Sequence, residues 1–274
     1  MSDITIVTAF FDIGRGNLPK EKHGRVLPHY QHRDVETYLQ YFGKQAEMQN
    51  DMIVYTSEDL APKIYEMRKQ HGLQDKTKIV VMPSYLPDEL KEYKPKVEQI
   101  LNSPEFFSRV ANPHLLEYWN AYYDLVTNMK SFYVSHAINA ELIDTELVAW
   151  IDFGYCREAS SVPSCKKWSY DFDPDKIHFW NLIPIEPERP IDSIIYTGDV
   201  YIMGCHIVAG KEKWKYLNSL VIGCLNKLIE HNLIDDDQGL WLMAYLTNPD
   251  AFELHQGNPN DWFNVFKTMN SCLQ

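Results

Sequence analysis

No stretch of this chain is apolar for the roughly 18 to 20 residues that a membrane-spanning helix needs. The opening MSDITIVTAFFDIG has no basic segment leading into an apolar one, so no secretory signal is read there. A soluble, cytoplasmic protein is expected. Cysteine is scarce: Cys156, Cys165, Cys205, Cys224 and Cys272, an odd number with no C-x-x-C pair. That argues against a disulfide framework or a structural zinc site, and reduced, partly buried thiols are expected. Bases are outnumbered, 26 against 38 acids, for a net charge of −12. A chain so balanced has no general footprint for nucleic acid and shows no polybasic membrane anchor. A local basic pocket is still compatible with it. Repeats, low-complexity tracts and Gly/Ser linkers are also missing, so nothing divides the 274 residues. One domain with two functional halves is expected, about 1–155 and about 156–274.

What is present is core-building material. Hydrophobic residues make up 45% and aromatics 13%, enough for a sizeable interior. The spacing predicts a strand opening the segment 3–16 and further strands over 51–57, 76–83, 145–154 and 176–184, with helices over 34–48 and 58–72 between the early ones. Strand–helix alternation of this kind predicts an α/β fold with a mostly parallel central sheet flanked by helices. Residues 113–142 read as two helical pieces meeting near 127–130. Residues 193–210 read as two strands around Thr197-Gly198-Asp199. An amphipathic helix follows over 211–231, a further helix over 235–246, then a loop and a short helix over 254–266.

Five places carry chemistry. The first strand ends in Thr8, Ala9, Phe10 and Asp12, then Gly14, Arg15 and Gly16. In open α/β sheets ligands bind beyond such strand ends. The dinucleotide fingerprint G-x-G-x-x-G fails, because its third glycine falls on Pro19. A turn with Arg15 could still meet a diphosphate, or be a plain surface loop. The apolar run VAWI ends on Asp152, with Arg157 five positions later. That acid suits Mg²⁺ or Mn²⁺, which share one or two carboxylates with substrate phosphates; the plainer reading is a solvated acid or one paired with Arg157.

Asp235, Asp236 and Asp237 precede a helix, where Asp235 and Gln238 have capping-box spacing. One cap does not require three acids, and an active site could use the others against a sugar. Lys130 lies inside an apolar helical stretch, either snorkelling to solvent or facing a phosphate or sugar. His255 stands before a glycine-containing loop, as a surface or core histidine or a metal ligand. His23, His29 and His32 read as an exposed loop.

Together, the segments TIVTAFFDIGRGN, MKSFYVSHAI, IDTELVAWIDFGYCR and DDDQGLWLMAYLTNPDAFEL resemble the HtrL/YibB family of bacterial proteins, over nearly the whole chain. That family is associated with lipopolysaccharide-core and other surface-polysaccharide gene clusters. Its layout is similar to that of GT-A glycosyltransferases, which implies a Rossmann-like sheet and a nucleotide-diphosphate-sugar donor, UDP-galactose or UDP-glucose for preference. The implied acceptor is a saccharide or a lipid-linked saccharide, reached in the second case by peripheral docking at the inner membrane. By position, the resemblance implies that Thr8, Ala9, Phe10 and Arg15 line the nucleotide site. It further implies Lys130 at the diphosphate or donor sugar, Asp152 and His255 on Mn²⁺ or Mg²⁺, and Asp236 or Asp237 at the reacting sugar. The usual Asp-x-Asp motif reads Asp152-Phe153-Gly154 here, so its second acid is missing; Lys130, Arg15 or Arg157 would then have to neutralise the diphosphate. The alternatives are a noncatalytic saccharide- or protein-binding module on a degenerate transferase fold, and a nucleotide-sugar hydrolase.

Overall fold

The computed structural model describes residues 2–158, 161–260 and 262–269. In chain order the strands and helices begin with β1 (Ile4–Phe10), a small hairpin β2 (Glu21–Lys22) and β3 (Arg25–Val26), α1 (Val35–Gln45), β4 (Met52–Thr56), α2 (Ala61–Lys69) and β5 (Thr77–Val81). Four helices follow: α3 (Tyr93–Leu101), α4 (Pro104–Phe107), α5 (Ala121–Asn128) and α6 (Lys130–Asn139). The chain continues through β6 (Leu147–Ile151), β7 (Ile177–Asn181), α7 (Ile191–Thr197), β8 (His206–Gly210), α8 (Lys211–Glu230), α9 (Asp237–Thr247), β9 (Phe252–Gln256) and α10 (Val265–Thr268).

Seven strands form one sheet in the order β5-β4-β1-β6-β8-β7-β9. Four neighbouring pairs are parallel; β8 runs antiparallel to both β6 and β7. The α/β, mostly parallel sheet expected from the alternation is therefore present. β1 is buried along almost its whole length, as a central parallel strand must be. Its alternate residues feed two cores. Ile4, Ile6 and Phe10 pack with Leu39, Phe42 and Ile64 of α1 and α2. Val7 packs on the opposite face with residues of α3, α5, α6, α8 and α9. Helices thus cover both faces, and the backbone polar groups of the inner strands are paired along the sheet.

From β1 the chain steps outward to β4 and β5, then returns to β6 on β1's other side. The strand order reverses there, and a crevice opens beyond the carboxyl ends of β1 and β6.

Four expectations need correction. Residues 191–197 are helical, because Ile191, Ile194 and Ile195 at steps of three and four face the interior and Gly198 (φ 71°) ends the turn; only β8 of the expected strand pair forms. Residues 252–256 are a strand, which adds to the sheet edge by parallel pairing with β7. Residues 113–120 precede the helical pair, and α5 starts at Ala121 behind an Asn120 cap. Cys156, Cys205 and Cys224 are free and buried, but Cys165 is disulfide-bonded, and Cys272 lies outside the described residues. Among the described residues no helix is long and apolar enough to cross a membrane.

Candidate active site

A cavity of about 580 Å³ opens beyond the ends of β1 and β6, within the usual size of a small-molecule site. Ala9 to Ile13, Trp150 and Asp152 to Tyr155 line it from the sheet, and Asp236 to Gln238 from the start of α9. Three guanidiniums line it too: Arg15, Arg33 and Arg157.

Lys130 is the cation at its inner wall. It opens α6 and is 5% exposed, so it does not snorkel. Its Nζ donates to Oδ2 of Asp237 at 2.8 Å and to the carbonyl of Gly204 at 2.9 Å, and lies 3.0 Å from Oδ1 of Asp152. Two indoles brace the acids: Trp150 Nε1 donates to Oδ1 of Asp152 at 2.7 Å and Trp241 Nε1 to Oδ2 of Asp237 at 2.9 Å. Burial alone would favour a neutral lysine, but Asp152 and Asp237 outweigh it and hold the ammonium firmly charged. Asp152 itself is anchored by its backbone N–H, which donates at 3.0 Å to the carbonyl of Cys205, just before the neighbouring β8. One ammonium thus serves two carboxylates, at the strand end where the sequence placed an acid.

The sheet brings Ala9, Phe10, Asp12, Arg15, Lys130, Asp152, Arg157, Asp236 and Asp237 to this one cavity. Asp12 folds back on its loop, where Oδ1 accepts the N–H of Gly14 at 2.8 Å. Arg15 is held by the carbonyls of Gln31 and Tyr30, each at 3.1 Å, and by the Tyr38 hydroxyl at 2.6 Å. Arg157 does not pair with Asp152; its Nε donates to Gly154 O at 3.1 Å and its guanidinium lies over the Phe263 ring at 4.2 Å. The capping box from Asp235 is not made. Asp236 is the N-cap, and its Oδ1 accepts from Gln238 N at 3.0 Å.

Two expected residues lie elsewhere. Thr8 is fully buried within β1, on the side of Ile6 and Phe10, and does not line the cavity. His255 sits on β9, three strands over from β6, which at ~4.8 Å per strand is roughly 14 Å. It cannot share an ion with Asp152. Its neighbours are His178 and Glu253, and burial lowers its pKa to about 4. Gly154 stands in place of a second acid, Lys130 holds both Asp152 and Asp237, and the expected pairing of Asp152 with His255 on Mn²⁺ or Mg²⁺ does not form. Among the described residues no third His, Cys, Asp or Glu atom joins Asp152 at metal-binding spacing. The histidines of the loop at 23–32 form no such group either.

Several contributors were missed. Arg33, Glu117 and Tyr123 line the cavity from segments that read as loop or generic helix. Phe153 stacks between Phe10 and Phe42, with centroids 4.8 and 4.2 Å away, and Phe10 also meets Tyr38 at 4.8 Å. An acidic group lies behind Asp236. Burial pushes the Glu117 carboxyl up to about 7, and burial, then Asp236, Glu117 and Asp235, raise that of Asp124. Asp236 is raised by burial and then by Asp237 and Asp235. Only the Asp-Asp-Asp run hinted at this crowding from the sequence.

Residues 2–271 match the family described as "Bacterial protein of unknown function (HtrL_YibB)". The chain is 34% identical to Protein HtrL of Escherichia coli (strain K12) over 275 positions, covering 98% of this chain and 93% of that protein. This chain belongs to the HtrL/YibB family. It also aligns with mouse xyloside xylosyltransferase 1 in its apo form, at a TM-score of 0.43 and 9% identity, covering 92% of this chain and 85% of the mouse chain. Within the HtrL/YibB chain, the blocks that carried the resemblance, around Asp12–Arg15 and Asp152–Arg157, are the two strand-end segments of the cavity.

Proposed function

We propose that this HtrL/YibB protein is a glycosyltransferase that binds a nucleoside-diphosphate sugar in the cavity and moves its hexose to a saccharide acceptor. The observation that carries this reading is Lys130, a buried ammonium braced by Asp152 and Asp237 in a strand-end cavity that also holds three guanidiniums. Such a set of fixed cations suits a diphosphate. UDP-galactose or UDP-glucose as donor, and a lipopolysaccharide or capsule saccharide as acceptor, follow from the family's GT-A resemblance. On this reading residues 1–155 chiefly serve the donor and 156–274 the acceptor.

The chemistry follows the charge. The bond from the sugar's anomeric carbon to the diphosphate oxygen breaks, and its electron pair stays on the nucleoside diphosphate. An acceptor hydroxyl oxygen bonds to that carbon, and its proton leaves. Lys130, Arg15 and Arg157 stabilise the negative charge as it grows, and fixed cations in a partly dry site do so without reorganising. Asp237 is committed to Lys130 and Trp241 and so positions the cation. Asp236, which lines the cavity beside Asp237, takes the acceptor proton in an inverting course; a retaining course needs no such base.

The test is nucleotide release from UDP-galactose and UDP-glucose with saccharide acceptors, with and without Mn²⁺, alongside the melting temperature with UDP. Acceptor-dependent UDP release, a raised melting temperature with UDP, and loss of turnover in Asp152→Asn are expected. Release without acceptor would make the protein a nucleotide-sugar hydrolase. Binding without release would make it a saccharide-binding module, and no response to any nucleotide would end the reading.

A further inference from the structure

The edge of the sheet farthest from β5 holds a second cluster of chemically capable groups. Glu253 and His255 are two residues apart on β9, so they share one face of that strand. His178 on β7 stands directly opposite Glu253 in the register, and His255 opposite Trp180. Nδ1 of His178 comes to 3.0 Å from Nε2 of His255 and 3.6 Å from Oε2 of Glu253. Nδ1 of His255 is 3.9 Å from Oε1 of Glu253. Among the described residues this is the one group of three such side chains whose ligating atoms all lie within 4.8 Å of one another.

Those separations have the scale of a coordination sphere. Tetrahedral Zn²⁺ with bonds of about 2.0–2.1 Å holds its donors ~3.3 Å apart. The 3.0 and 3.6 Å found here bracket that value. The supporting hydrogen bond is also in place. Nε2 of His178 lies 2.9 Å from the carbonyl of Asp173, which fixes the proton on that nitrogen and leaves Nδ1 with its lone pair toward the cluster. His255 then donates its Nε2 proton to Nδ1 of His178. Metal binding moves that proton to Nδ1 of His255, on the side of Glu253 Oε1, and frees Nε2 as a ligand. Phe172 and Trp180 wall the site, with centroids 4.8 Å from His178 and 5.1 Å from His255 respectively. The Glu253 side chain is 50% exposed and leaves a way in from solvent.

We propose that His178, Glu253 and His255 bind a zinc-class divalent ion at the sheet edge, apart from the cavity. The ion ties the edge strand β9 to β7. Just after β9, Gly257 N donates to Asn181 O at 2.8 Å, and the chain then brings Trp262 and Phe263 to the cavity wall. Occupancy of the clip therefore stiffens one side of the cavity without supplying a reacting group.

The experiment strips the full chain with a chelator and titrates it with Co²⁺, followed by visible absorption, and with Zn²⁺ against a competing chelator. One equivalent should bind, with the strong visible bands of low-symmetry, four-coordinate Co²⁺. His255→Gln should abolish saturable binding, and Glu253→Gln should weaken Zn²⁺ at least about tenfold. Asp152→Asn should bind Zn²⁺ like the parent. Because Glu253 is half-exposed, its variant decides the matter even if His255→Gln fails to fold. Absence of stoichiometric binding, undiminished binding in Glu253→Gln, or loss of binding in Asp152→Asn would overturn the site and leave an imidazole–imidazole hydrogen bond in its place.

Discussion

Gly204 and Asp237 approach so closely that a Cβ at position 204 would fall under 3.0 Å from the Asp237 carboxylate. The carbonyl of the same glycine accepts from Lys130. The missing side chain is therefore what lets the Lys130 ammonium and the Asp237 carboxylate meet against the backbone at Gly204.

Gly204→Ala is expected to destabilise the chain by about 1–3 kcal/mol through overpacking at a site with no slack. Gly223, inside α8, has nothing within 4 Å of an added Cβ. Gly223→Ala should instead stabilise by roughly 0.5–1 kcal/mol, the cost of a helical glycine. Urea midpoints of the two variants should move in opposite directions; a shared direction would refute the packing argument.

Lys130→Met removes the cation and leaves Asp237 buried and unpaired. Breaking a buried pair in this way costs about 3–5 kcal/mol. Asp237→Asn added to Lys130→Met should recover part of that loss, because the stranded charge goes too. Denaturant curves of the two singles and the double would reveal the coupling, and additive losses would count against it.

Glu117 gives a pH signature of its own. Burial pushes its carboxyl from 4.5 up to about 7. Between those values the folded chain holds a proton that the unfolded chain releases. The stability from this group is thus fully present below pH 4.5 and is lost as pH rises through 7. The melting temperature of the parent minus that of Glu117→Gln should fall steadily over that window. A difference independent of pH would show that the carboxyl titrates normally.

His206 has the opposite sign. It is fully buried, neither ring nitrogen has a hydrogen-bond partner among the described residues, and burial lowers its pKa to about 3. Unfolded, it takes a proton near 6.5, so the folded state loses stability as pH falls below that value. Aromatic rings of Trp180, Trp168 and Phe266 surround it at 4.9 to 5.3 Å. His206→Phe should therefore raise the melting temperature at pH 5 by more than at pH 8, and an equal shift at both would argue against a buried neutral imidazole.

Much of this was legible in the sequence because it is local. Strand–helix alternation, the acid closing VAWI and the glycine-bounded turn at Asp12–Arg15 are written in neighbouring residues. What escaped depends on distant partners. Lys130 reads from its own helix either as snorkelling or as facing a phosphate or sugar, and its hold on Asp152 and Asp237 depends on how α6 is set against them. β9 was missed because an edge strand, buried irregularly along FELHQ, has little periodicity and owes its form to β7. The helix at 191–197 was mistaken because IDSIIYT satisfies a strand's taste for β-branched residues, and only Gly198 beyond it marks a helix end. His255 reads from the sequence as a possible ligand, but sequence order does not show that three strands part it from Asp152.

The three arginines of the cavity belong to a molecule with a net charge of −12. An anion that ends beside Arg15, Arg33 and Arg157 must first cross a field that repels it. At about 0.1 M ionic strength that field fades over ~10 Å, while the close contacts within the cavity are screened less. Salt should then quicken the arrival of an anion more than it loosens its grip, the reverse of the steering by which basic proteins collect such ligands.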